Sequence, residues 1–174
     1  TVFFDYEGKW ANPAREVQSR SAVQEILDIL GEEDIRATFN TVGGLLEAEP
    51  DIIRRIRADG HEIASHTVSH QVVGDFTDQR MRDDLDAYRR LLAPYGETLE
   101  GFRAPESRWS PAVLAALCEA GLRWNAEADV FSTPYVITRA GGNRLWRLPV
   151  VADDWMMQGS GMTPERMLAE WQAN

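Results

Sequence analysis

Short apolar runs alternate with stretches in which hydrophobic positions recur every three or four residues, and this continues along the 174-residue chain. Residues 1–4 (Thr-Val-Phe-Phe) read as a strand closed by Asp5. Residues 21–30 read as a helix with Ala22, Ile26, Ile29 and Leu30 on its buried face. A strand over 35–41 ends before Gly43-Gly44, and Pro50 opens a helix over 51–58 that Gly60 stops. A third strand at 62–65 is followed by a helix over 77–92, and a fourth at 99–103 by a helix that Ser110-Pro111 opens and Gly121 ends. Residues 122–125 and 144–151 read as two further strands, and 164–172 as a last helix. Residues 127–142 are the least regular stretch and read as a loop with a turn at Gly141-Gly142-Asn143. This order predicts a parallel sheet with helices packed outside it. A barrel and an open doubly wound sheet share the pattern, and both collect chemistry at the carboxyl ends of their strands.

Length and composition fit one α/β domain over residues 1–174, large enough for a sizeable core. The formal charge of −10 argues against nucleic acid or an anionic membrane surface as the main partner, because phosphate binding needs a positive face. No apolar run approaches the length of a membrane span. A single cysteine, Cys118, excludes an internal disulfide framework and reads as a small packing residue. No signal peptide is in view, but the first residue is Thr1 rather than Met, so both ends are expected to be incomplete and the compartment stays open between cytoplasm and cell envelope.

The residues at the predicted strand ends change the picture. His66 and His70 are two of only three histidines. If residues 66–70 are helical, these i and i+4 side chains share a face and both imidazoles converge on one point, as two ligands of one metal ion must. Asp5 and Glu7, separated by Tyr6, point the same way along an extended strand. One carboxylate can bind a metal while the other accepts a proton, although an acidic loop start gives the same pattern. With one carboxylate, His66 and His70 form a set that leaves a coordination position open for water. Arg103, between an apolar strand and Pro105, can pair with Asp5 and keep it ionised; a solvated surface arginine is the plain alternative. Asp153-Asp154-Trp155 places an acidic pair and an aromatic after the 144–151 strand, where a turn and a core tryptophan would look alike. His61 precedes its strand, far from the other two, and reads as structural.

In chain order these segments resemble the motifs of the NodB-homology polysaccharide deacetylases, carbohydrate esterase family four. Phe4-Asp5-Tyr6-Glu7-Gly8 is similar to the first motif, in the variant branch with Asp-x-Asp or Asp-x-Glu. Gly60-His61-Glu62-Ile63-Ala64-Ser65-His66-Thr67-Val68-Ser69-His70 is the strongest match. Phe102-Arg103-Ala104-Pro105 is similar to the third motif and Asp153-Asp154-Trp155 to the fourth. The resemblance implies a distorted (β/α) barrel of about seven strands. It implies a divalent metal, usually zinc, with cobalt, nickel or iron accepted by the same donors, held by His66, His70 and Glu7. It makes Asp5 the base, Arg103 its partner, the Glu106 backbone N–H an oxyanion donor, and Asp154 and Trp155 members of the site, with Trp155 walling the acyl pocket.

The implied reaction is metal-dependent hydrolysis of an N-acyl group, most often N-acetyl, on an amino sugar or polysaccharide. A formamide, cyclic amide or imide is the rival substrate class. The chain departs from the pattern at three places. Glu106-Ser107 stands where an aromatic-Gly pair is usual, and Val151 stands where the fourth motif carries Asp, for which Asp153 can substitute. No histidine follows His70 to match the general acid of the last motif. That strand is therefore expected beyond residue 174, leaving the barrel truncated before its last strand. A carbohydrate- or metal-binding module without turnover is the alternative from another class. A purely structural domain must treat the strand-end residues as accident.

Overall fold

The computed structural model describes residues 2–10, 16–151 and 153–173, apart from the side chains of residues 16–18, 155, 156, 158, 171 and 173. The strands are β1 (Val2–Tyr6), β2 (Ala37–Thr41), β3 (Glu62–Ser65), β4 (Gly101–Phe102), β5 (Trp124–Ala128), β6 (Tyr135–Ala140) and β7 (Asn143–Val150). The helices are α1 (Glu16–Glu32), α2 (Gly44–Ala48), α3 (Pro50–Ala58), α4 (Asp78–Leu92), α5 (Pro111–Glu119), α6 (Asp154–Gly159) and α7 (Pro164–Ala173). All seven strands form one sheet in the order β1-β2-β3-β4-β5-β7-β6. Every neighbouring pair from β1 to β7 is parallel, as the strand–helix alternation predicts.

One feature differs from the expectation. The segment read as a loop holds β6, which runs antiparallel to β7. The hairpin turns at Gly141 and Gly142, both at positive φ (57° and 84°), where glycine carries no steric penalty. The sheet is not closed, in keeping with a barrel truncated before its last strand: β1 and β6 stand at its two edges. It nevertheless curls as a barrel wall does: the rings of Phe3 on β1 and Trp124 on β5 lie 5.6 Å apart across the concave face. Thr38 Oγ1 and Trp124 Nε1 both donate to Glu62 there, at 2.8 and 3.0 Å.

The convex face carries the helices. Val23, Leu27 and Leu30 are the buried stripe of α1, at i, i+4 and i+7. Ala22 and Ile29, expected on that face, are exposed, because the stripe is rotated toward Val23. Ile52, Ile53 and Ile56 of α3, Met81, Leu85 and Tyr88 of α4 and Leu117 and Cys118 of α5 complete the core. Thr77 caps α4 by accepting from the Arg80 N–H, and Ser110 caps α5 by accepting from Val113. Tyr88 is wholly buried and donates from one hydroxyl to the carbonyls of Thr41 and Ala64, tying α4 to the ends of two strands. Among the described residues no helix is long and apolar enough to cross a membrane.

Gly101 shows how tightly the concave face is filled. A Cβ there would lie 1.9 Å from Cζ2 of Trp124, its partner in the β4–β5 register. Gly101→Ala should cost about 1–3 kcal/mol by forcing the indole from its place. Urea unfolding with tryptophan fluorescence measures this, and an unchanged midpoint would contradict the packing.

Candidate active site

Strand alternation decides what β1 presents to the site. Phe4 and Tyr6 face the convex side, where Phe4 stacks on Phe39 and the buried Tyr6 hydroxyl donates to Glu49 at 2.8 Å. Phe3 and Asp5 face the concave side. Asp5 pairs in register with Asn40 of β2, whose Nδ2 donates to Asp5 Oδ1 at 2.8 Å. Glu7 follows the strand and meets the two histidines: its Oε1 is 3.2 Å from His66 Nε2 and 3.1 Å from His70 Nε2.

The histidines converge by a route other than the expected helix. Residues 66–70 form a turn after β3, with Thr67 and His70 in left-handed backbone conformations (φ 63° and 56°). This turn is laced to the neighbouring strand end: His66 N–H donates to the Thr41 carbonyl, and Gly43 and Gly44 N–H donate to the carbonyls of Thr67 and Val68. The Thr67 hydroxyl accepts from Gln71 N–H at 3.1 Å, and Asp84 accepts from Val68 N–H at 3.2 Å. The imidazole centroids come to rest 5.1 Å apart. Left-handed conformations in residues with a Cβ are costly and persist where the surroundings enforce them. Here that enforcement comes from the lacing.

Arg103 follows β4 and is buried, with 6% of its surface exposed. Its Nε donates to Asp5 Oδ2 at 2.9 Å and its Nη2 to Asp153 Oδ2 at 2.8 Å. The acidic residue on Arg103 is thus Asp153 rather than Asp154, which is exposed in the first turn of α6. Asp154 does line a cavity of about 730 Å³ whose walls include Asp5, Arg103, Asp153, Phe4 and Val150, but not Glu7, His66 or His70. The Trp155 side chain lies outside the described residues. Glu106 and Ser107 both adopt left-handed conformations (φ 57° and 53°) in the turn after Pro105. The Glu106 side chain is exposed near Arg108, so any contribution of this residue to the site is through its backbone. His61 is buried against Phe39 and accepts from the Ala37 N–H, in agreement with a structural role.

Electrostatics bind these groups together. Burial raises the Glu7 carboxyl, but hydrogen bonds from His66 and His70 outweigh it and bring the group down to about 2. Burial opposes the charged His66 ring, yet the hydrogen bond to Glu7 and the charges of Asp5 and Glu7 leave it above its ordinary value. Burial also opposes the Arg103 charge, and Asp5, Glu127 and Asp153 hold it up. Glu7, His66 and His70 offer donor atoms within 4.8 Å of one another, the one such group among the described residues. The Arg103 carbonyl, 2.9 Å from His66 Nδ1, can only accept, so the proton sits on Nδ1. In the neutral ring the Nε2 lone pair then points at a carboxylate oxygen, and two acceptors can face each other only across a proton or a cation. The donor set therefore fits a divalent cation.

Sequence reasoning missed Asn40 and Glu127. A polar residue inside the wholly buried strand Ala37–Thr41 was a signal for Asn40. Glu127 is wholly buried on β5, at the position where the sequence pattern predicts a loop to begin.

The pH dependence follows from Glu7 and His66 in the metal-free protein. Glu7, lowered from 4.5 to about 2, contributes stability that is complete above pH 4.5 and is lost as pH falls toward 2. His66, raised from 6.5, contributes stability that is complete below pH 6.5 and is lost as pH rises through its folded value. The pair should stabilise most between pH 4.5 and 6.5. Glu7→Gln should flatten that profile, as urea midpoints across the acid and neutral range would show; a variant that keeps the wild-type profile would exclude the pair as its source.

Comparison with known proteins follows this geometry. The polysaccharide deacetylase family model matches residues 5–124. The chain is 32% identical over 117 residues to a chitooligosaccharide deacetylase of Bradyrhizobium sp. (strain ANU 289), covering 64% of this chain and 53% of that protein. It is 34% identical over 116 residues to one of Sinorhizobium fredii, covering 63% and 54%. The chain thus spans about half the length of the curated relatives it matches. A crystal structure named for a polysaccharide deacetylase of Mycobacterium smegmatis superposes with a TM-score of 0.85 at 25% identity, covering 99% of this chain and 69% of that one. The Puue allantoinase structure shares the fold with a TM-score of 0.70 at 24% identity, covering 84% and 51%. From its sequence motifs, its curled sheet and these matches, the chain belongs to the polysaccharide deacetylase family.

Proposed function

We propose that this chain carries the metal-binding and base-bearing part of a deacetylase that hydrolyses the N-acetyl amide of an amino sugar, with an N-acetylglucosamine oligomer as the substrate class. The observation that carries the reading is the Glu7–His66–His70 donor cluster set beside the Asp5–Arg103–Asp153 chain. Chitooligosaccharide deacetylases among the relatives support the sugar.

Glu7, His66 and His70 would hold the divalent cation, and Asp5 stands outside that set. A cation there supplies Lewis acidity, lowering the pKa of a water and polarising the acyl oxygen. Asp5 would take the proton of the attacking water, and Arg103 holds its carboxylate in one orientation. Asn40 on the other oxygen completes that grip. The left-handed turn at Glu106 would aim its backbone N–H at the charge that develops on the acyl oxygen. The nitrogen leaves as the amine, which needs a proton. His66 and His70 would serve the cation and His61 lies at the opposite end of β3, so the proton taken up by Asp5 is one that could return to the amine.

Acetate release from N-acetylglucosamine oligomers, with a cyclic amide as a parallel substrate, tests the reading. Asp5→Asn should lower kcat by about 10²–10⁴-fold with metal content unchanged. His70→Ala should lose both the metal and turnover. Survival of turnover in Asp5→Asn would remove Asp5 as the base. Hydrolysis of the cyclic amide alone would change the substrate class.

A further inference from the structure

Glu127 is wholly buried on β5, and no step above uses it. Its Oε1 accepts from the Ala104 backbone N–H and from Asn125 Nδ2, each at 2.7 Å. Its Oε2 accepts from the Ser107 hydroxyl at 2.7 Å, and that hydroxyl accepts from the Ala128 N–H at 2.9 Å. Two N–H donors on Oε1 keep that oxygen an acceptor whether or not the carboxyl carries a proton.

The Ala104 N–H belongs to the same peptide group as the Arg103 carbonyl, and that carbonyl accepts from His66 Nδ1 at 2.9 Å. One peptide plane therefore stands between Glu127 and His66. A carboxylate on the N–H side draws electron density toward the carbonyl oxygen, which makes it a stronger acceptor, and linked hydrogen bonds reinforce one another at low dielectric. A carboxylate is expensive to bury, and this one is surrounded by donors rather than replaced by an apolar residue.

We propose that Glu127 is a positioning residue of the metal site, acting through the Arg103–Ala104 peptide to fix the His66 ring and keep its proton on Nδ1, so that Nε2 faces the cation as a donor. This rests on the reading of Glu7, His66 and His70 as metal ligands. The competing role is a clamp on the turn that carries Glu106 and Ser107 in left-handed conformations. The two roles separate because the clamp also needs Ser107, whereas the peptide link does not.

Three variants divide them. Glu127→Gln keeps the shape and removes the charge. Ala104→Pro removes the linking N–H, and the native φ of −78° suits a proline. Ser107→Ala loosens the clamp and leaves the peptide link intact. Two quantities are read: the His66 tautomer and Nδ1 proton resonance, by long-range 1H–15N correlation in the metal-free protein, and the Co(II) dissociation constant. In the wild type the proton should be on Nδ1. Glu127→Gln and Ala104→Pro should each move that resonance upfield and weaken Co(II) binding by about tenfold. Ser107→Ala should change neither. Wild-type values in both of the first two variants, or equal losses in Ser107→Ala, would overturn the proposal. A wild type with no proton on Nδ1 would overturn it without any variant having to fold. If the wild type binds no Co(II) while its His66 signal still responds to Glu127→Gln, the metal reading fails and the positioning of His66 stands.

Discussion

The Arg103 guanidinium is withdrawn from water and placed among carboxylates, with Asp5 and Asp153 in direct contact and Glu127 close enough to act on its charge. A buried charge loses its solvation and keeps its place only if its partners replace it. Asp5 and Asp153 are only partly withdrawn from water and supply that replacement. In a chain with ten more acidic than basic residues, this one cation lets acidic groups from β1, from the end of β7 and from β5 gather at one end of the sheet. Removing it would leave the carboxylates of Asp5 and Asp153 without their cation. The backbone of Arg103 serves the site too, since its carbonyl orients His66. One residue thus joins Asp5 to the donor cluster.

The fold was legible where period and punctuation agree. β2, β3 and α3 were read within a residue or two because apolar runs are bounded there by Gly43-Gly44, Pro50 and Gly60. β6 was missed although Tyr135-Val136-Ile137-Thr138 has strand composition and Gly141-Gly142 follows it. Its residues are only partly buried and its pairing slips between Val136 and Thr138, so the alternation is blurred. The α1 face was misplaced because two faces of that helix carry apolar residues, and only packing chooses between them.

The site was legible as a set of residue types and less so as geometry. Asp5 and Glu7 point as alternation requires, and Arg103 meets Asp5. The i, i+4 spacing of His66 and His70 suggested a helix, but a laced turn achieves the same convergence with different torsions. Adjacent Asp153 and Asp154 cannot be ranked from sequence, since the chain direction after β7 decides which one faces Arg103. Glu127 left no trace in the sequence, because two of its partners are a backbone N–H and a serine hydroxyl some twenty residues away.

The lacing of Gly43 and Gly44 to the carbonyls of Thr67 and Val68 has a mechanical consequence. A Cβ at Gly43 would stand 2.9 Å from the Val68 Cα, so the two backbones are in near contact. The turn that bears both histidines is in effect one more rung of the sheet, with the stiffness of a ladder rather than of a surface loop. Thermal displacement of His66 is therefore correlated with β2 and β3, on which Asp5 leans through Asn40. When the sheet breathes, Asp5 and the donor cluster move together, and the spacing between them changes less than either position.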